Sequence, residues 1–106
     1  MPSLEEWSTN FDTENVVPFL QRIAQHIESG FADPEIAQVL KLIETMKVDD
    51  EKHLTFEIRY AGQLSDFKIG VFLDDIDAPD LYFFAPAGLC KHLSAEMQKF
   101  AEERGM

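Results

Sequence analysis

His53-Leu54-Thr55-Phe56-Glu57-Ile58-Arg59-Tyr60 alternates polar and apolar side chains without a break, the two-residue repeat of a strand buried on one face. Ala61-Gly62-Gln63 supplies a short connection, and Phe67, Ile69, Val71 and Leu73 then alternate with Asp66, Lys68, Gly70 and Phe72. This is an antiparallel hairpin with one apolar face, and the rest of the chain has to cover that face.

Downstream of the hairpin, the segment 74–80 is a loop by composition, closed by Pro79. Leu81-Tyr82-Phe83-Phe84-Ala85 follows as a short third strand, ended by Pro86 and Gly88. A last helix over 87–104 aligns Leu89, Leu93, Met97 and Phe100 on one face and stops at Gly105.

Upstream, the period is helical. Asp33-Pro34-Glu35 is a helix start in which Asp33 caps, Pro34 presets φ and Glu35 complements the dipole. Ile36, Val39, Leu40, Ile43 and Met46 carry that helix to about Lys47, before the charged break Asp49-Asp50-Glu51-Lys52. A preceding helix over 15–29 is expected from the stripe Val16, Phe19, Leu20, Ile23 and Ile27, with Thr13 or Asn15 as cap, Pro18 in the first turn and Gly30 as the stop. Ser3-Leu4-Glu5-Glu6 has capping-box spacing, and Leu4, Trp7 and Phe11 share a helical face, which predicts a first helix over 4–10.

The expected architecture is therefore α+β in the order ααα-βββ-α. A three-stranded antiparallel meander packs against helices in a single domain spanning 1–106.

The chain has 106 residues and a formal net charge of -11, shared between its halves as -7 before His53 and -4 from His53 onward. A polyanionic surface repels nucleic-acid phosphates and anionic lipid, so neither is expected as a direct partner. The single cysteine, Cys90, cannot close an intrachain disulfide. The opening residues lack the basic-then-apolar pattern of a secretory signal, and no window reaches the length of a membrane span. A cytoplasmic location is the expectation.

Three clusters bear on function. First, Asp74, Asp75, Asp77 and Asp80 crowd four carboxylates into seven positions. An EF-hand count from Asp75 fails, because Pro79 takes the fifth position, Asp80 the glycine position and Pro86 the twelfth. An acidic turn serving local hydrogen bonds is the simpler reading. Second, the strand positions facing away from the core hold Phe72, Tyr82 and Phe84, which with Arg59 would make an aromatic and arginine surface suited to a protein interface, unless a helix covers it. Third, Cys90 and His92 are two apart on a helix and do not face each other. Cys90 reads as a small buried hydrophobe, and His92 as a surface partner of Glu96. His26 and His53 have no neighbour in sequence that would make a metal pair.

No glycine run cradles a phosphate or dinucleotide, no nucleophile elbow surrounds any serine, and no cofactor or metal is expected. The reading that fits best is a non-catalytic module that binds a protein with a basic surface, as an inhibitor or immunity protein does. Its contacts would be Asp74, Asp75, Asp77 and Asp80, with Phe72, Tyr82, Phe84 and Arg59 as anchors. The alternatives are a small carboxylate-based enzyme or metal- or ligand-binding protein, and an accessory domain that is monomeric or pairs as a homodimer.

Overall fold

The computed structural model describes residues 4–10, 12–75 and 77–105. Ser3 of the expected capping box and Phe11 of the expected helical face lie outside them. The elements run β1 (Leu4–Asn10), a 3-10 turn (Thr13–Asn15), α1 (Val16–Ala24), α2 (Asp33–Thr45), β2 (Glu51–Tyr60), β3 (Gln63–Asp75), β4 (Ala78–Pro86) and α3 (Ala87–Arg104). The class is α+β, with a four-stranded antiparallel sheet in the order β1-β4-β3-β2.

The main departure from the sequence reading is at the start. Residues 4–10 form a strand, not a helix, and pair with β4 from Leu4↔Pro86 to Asn10↔Asp80. The physical reason lies in β4, whose far edge needs a hydrogen-bonding partner and whose Phe83 needs one side of its ring covered. Trp7 stands opposite Phe83 in register, with ring centroids 5.7 Å apart, and stacks on Phe19 of α1 at 6.0 Å.

The next corrections are of boundary. α1 ends at Ala24 instead of running to Ser29, because residues 28–29 leave the helix to bridge β2: Glu28 N–H donates to the Arg59 carbonyl and Arg59 N–H to the Ser29 carbonyl, both at 2.9 Å. Ile27 is buried all the same. The α2 cap is Ala32 rather than Asp33, with the Glu35 carboxylate accepting from Ala32 N–H at 2.8 Å. The segment 74–80 is mostly strand, since β3 runs to Asp75 and β4 begins at Ala78, with a register shift between Phe72 and Asp75. Pro79 is buried inside β4, where β1 has already ended and the β3 pairing is irregular, so its missing N–H leaves no regular ladder bond unmade.

One face of the sheet carries Phe56, Ile58, Phe67, Ile69, Val71, Leu73, Leu81, Phe83 and Ala85, all buried. The buried stripes of all three helices meet it: Phe19, Leu20 and Ile23 of α1, Ile36, Val39 and Ile43 of α2, and Leu89, Leu93 and Phe100 of α3. Aromatic contacts run through this core from Phe100 to Phe19 (5.9 Å), Phe19 to Phe83 (6.3 Å), Phe83 to Phe67 (6.0 Å), Phe67 to Phe31 (5.1 Å) and Phe31 to Phe56 (5.5 Å). Among the described residues no helix is long and apolar enough to cross a membrane.

Candidate functional site

Because the helices share one face, the other face of the sheet is left without a covering element among the described residues. Register sets its side chains in rows across the strands. The central row is His53, Gly70, Tyr82 and Ser8; on either side lie Thr55, Lys68, Phe84 and Glu6, and Glu51, Phe72, Asp80 and Asn10. Phe72, Tyr82 and Phe84 are half-buried, whereas Glu6, Ser8, Asn10, Glu51, His53 and Thr55 are exposed.

Gly70 makes the middle of this face. Tyr82 lies against it, so that a Cβ at Gly70 would stand 3.6 Å from Tyr82 Cβ and Cδ2. That is ordinary van der Waals contact, so the ring lies directly over the strand at Gly70. Lys68 Nζ sits 5.2 Å from the centroid of the Phe84 ring, a cation–π contact within the face itself. Burial pushes the Tyr82 hydroxyl pKa upward, and the charges of Asp80, Glu51, Glu6 and Asp74 push it further. An aromatic centre surrounded by four carboxylates is the chemical character of the surface.

No family model, curated protein or solved structure matches the chain. The arrangement of side chains therefore carries the functional argument.

The structure brings Phe72, Tyr82, Phe84 and Asp80 onto one surface but leaves Arg59 apart. Arg59 is on the same face, four residues beyond Thr55 along β2 and so about 13 Å away, where its Nη1 donates to the Gly62 carbonyl at 3.4 Å. The four aspartates do not converge. Asp75 Oδ1 accepts from Asp77 N–H at 2.9 Å, and the Asp77 carbonyl accepts from Thr13 N–H at 3.0 Å and Thr13 Oγ1 at 3.3 Å. Asp80 Oδ1 accepts from Asn10 Nδ2 at 2.8 Å, and the same amide donates to the Ala78 carbonyl at 2.8 Å. Asp75, Asp77 and Asp80 thus tie the β3–β4 hairpin to itself, to the 3-10 turn and to β1, while Asp74 stays exposed. Among the described residues no group of three His, Cys, Asp or Glu side chains is placed to hold a metal ion.

Glu6, Ser8, Glu51 and His53 complete the rim, and sequence reading missed them as site residues. For Glu6 and Ser8 the available signal was their alternation with inward-facing Trp7 and Thr9. His26, just past the end of α1, and His92 of α3 are far apart in sequence but stack with ring centroids 4.1 Å apart. Glu96 faces Arg22 at 3.7 Å, His26 at 3.6 Å and Lys99 at 3.6 Å, so the expected pairing of His92 with Glu96 gives way to the histidine stack. Cys90 is buried, its Sγ 3.5 Å from the Glu5 carbonyl oxygen and 3.6 Å from that of Ala85.

Proposed function

We propose that this protein is a non-catalytic binding module whose helix-free sheet face docks a protein partner with a basic surface. The observation that carries the reading is the composition of that face: Phe72, Tyr82 and Phe84 side by side, with Glu6, Glu51, Asp74 and Asp80 around Tyr82. Aromatic anchors enclosed by charge are what a protein interface uses for affinity and orientation. A net charge of -11 adds long-range steering toward a cationic partner and makes the encounter sensitive to salt.

The test is affinity capture from cell extract on immobilised wild-type protein and on a Phe72→Ala/Tyr82→Ala variant, at low and high ionic strength, with captured proteins identified by mass spectrometry. The expected result is a basic protein retained by the wild type at low salt, released at high salt and lost from the folded variant. If wild type and variant retain the same proteins, or the retained ones are acidic, the reading is wrong.

A further inference from the structure

The sheet order leaves β2 at one edge, and the hydrogen bonds at its hairpin end show which backbone groups face outward. Arg59 N–H and C=O are both bonded to the 28–29 segment at 2.9 Å, so both point away from β3. In an antiparallel ladder this direction alternates, so Glu57, Thr55, His53 and Glu51 also aim their N–H and C=O groups outward. At Glu57 the edge is blocked, since Gly30 passes so close that a Cβ on it would stand 2.2 Å from the Glu57 carbonyl oxygen. From Glu51 to Thr55, among the described residues, no strand, turn or side chain meets these groups.

The side chains of this open stretch continue the face described above. Glu51, His53 and Thr55 are exposed and begin its three rows, Glu57 is exposed just beyond, and on the other parity stand exposed Lys52 and half-buried Leu54. An exposed row of unpaired donors and acceptors is a template for an added strand. A second copy of the chain is disfavoured as the occupant because each copy carries -11.

On the reading that the partner is basic, we propose that an extended segment of that partner adds to the sheet as a new strand along β2 from Glu51 to Thr55. Its Lys or Arg side chains stand beside Glu51 and Glu57, and its alternate aliphatic ones beside Leu54. The backbone ladder supplies the register and the carboxylates select the charge.

The probe is a short, end-blocked peptide of alternating lysine and valine, titrated into the full chain at low salt and followed by NMR. The amides of Glu51, His53 and Thr55 are expected to exchange freely in the isolated protein and to become protected at saturation. Thr55→Pro removes only an outward N–H, a substitution that an edge strand tolerates, and weakens the peptide by roughly tenfold. A peptide N-methylated on its edge-facing residues tests the same bonds with the protein untouched, and is expected not to bind. Peptide-induced shifts confined to Phe72, Tyr82 and Phe84, with the β2 amides still exchanging freely, would overturn the added strand while leaving the face as the docking site. Equal affinity for the N-methylated peptide, or no binding of the parent peptide, overturns it as well, and the extract experiment then judges the face by itself.

Discussion

Gly30→Ala and Gly62→Ala make a matched pair of substitutions, because both glycines have positive φ, at +92° and +77°, but differ in the space around them. At Gly62 a Cβ meets nothing within 4 Å, so alanine there suffers only the left-handed backbone, about 1 kcal/mol. At Gly30 the same Cβ would stand 2.2 Å from the Glu57 carbonyl oxygen and 2.9 Å from Ile58 Cα, which are backbone atoms with no flexible end to swing aside. Relief requires the 28–30 segment to lift off β2. That breaks the Glu28–Arg59 and Arg59–Ser29 backbone bonds, worth about 1 kcal/mol each. Gly30→Ala should therefore destabilise by about 3 kcal/mol and Gly62→Ala by about 1 kcal/mol. Both alanines restrict the unfolded chain equally, so that contribution cancels in the difference of about 2 kcal/mol. Urea unfolding followed by circular dichroism reads it directly, and Tm should fall by roughly 5 °C for Gly62→Ala and about three times that for Gly30→Ala. Equal destabilisation of the two variants would show that the segment does not lie against the β2 edge, and would also remove the barrier that ends the open stretch at Glu57.

Adjacent phenylalanines on β4 should behave oppositely. Phe84→Asp, on the open face, should keep the fold and lose no more than about 1 kcal/mol with its Lys68 contact, whereas Phe83→Asp, at 0% exposure in the core, should prevent folding. Light scattering and circular dichroism decide it, and an unfolded Phe84→Asp would place that face in the core. Burial, followed by the charge of Glu5, pushes the Cys90 thiol pKa upward, so its contribution to stability is whole below the thiol's ordinary value of about 8.5 and is lost as pH rises through the raised folded value. Urea midpoints should fall between neutral pH and about pH 10, and Cys90→Ala should flatten that fall; an unchanged slope would show the thiol titrating as in the unfolded chain.

What the sequence disclosed follows the strength of its local signals. The β2–β3 hairpin and the long amphipathic α3 could be read because period, turn residue and stop agree. Ala61 and Gly62 both have positive φ, as the two-residue turn demands, and Gly105 ends α3 where expected. β1 could not be read, since seven residues hold both a Leu4–Trp7 helical spacing and a Trp7–Thr9 alternation, and the unpaired edge of β4 chooses between them. A second long-range pairing cut α1 short of Ile27: a bridge to Arg59, thirty residues on from Ser29, took the chain out of the helix. At the site, alternation alone placed Phe72, Tyr82 and Phe84 on one parity. Whether a helix covered them, and which carboxylates surrounded them, depended on tertiary packing and on β1.

A sheet with helices on one side ordinarily shows polar side chains on the other, and β2 obeys with His53, Thr55, Glu57 and Arg59. Phe72, Tyr82 and Phe84 on the central strands do not. Shielding of the ladder accounts for bulk at these positions, since a cross-strand pair is worth roughly 0.2–1 kcal/mol, but threonine or valine would serve there too. Shielding also leaves the carboxylates unexplained. Glu6, Glu51, Asp74 and Asp80 all push the Tyr82 hydroxyl pKa upward, so a predominantly negative field surrounds it, with Lys68 as a cation on the same face. Binding a cationic partner gives that field a purpose, and the two roles separate experimentally. Among the described residues the Glu6 and Glu51 side chains make no hydrogen bond or ion pair, so Glu6→Gln and Glu51→Gln together should leave thermal stability unchanged or slightly raised, while weakening capture of a basic partner and reducing its dependence on salt. Loss of stability with capture unaffected would assign the acids to the fold and remove the basic partner from consideration.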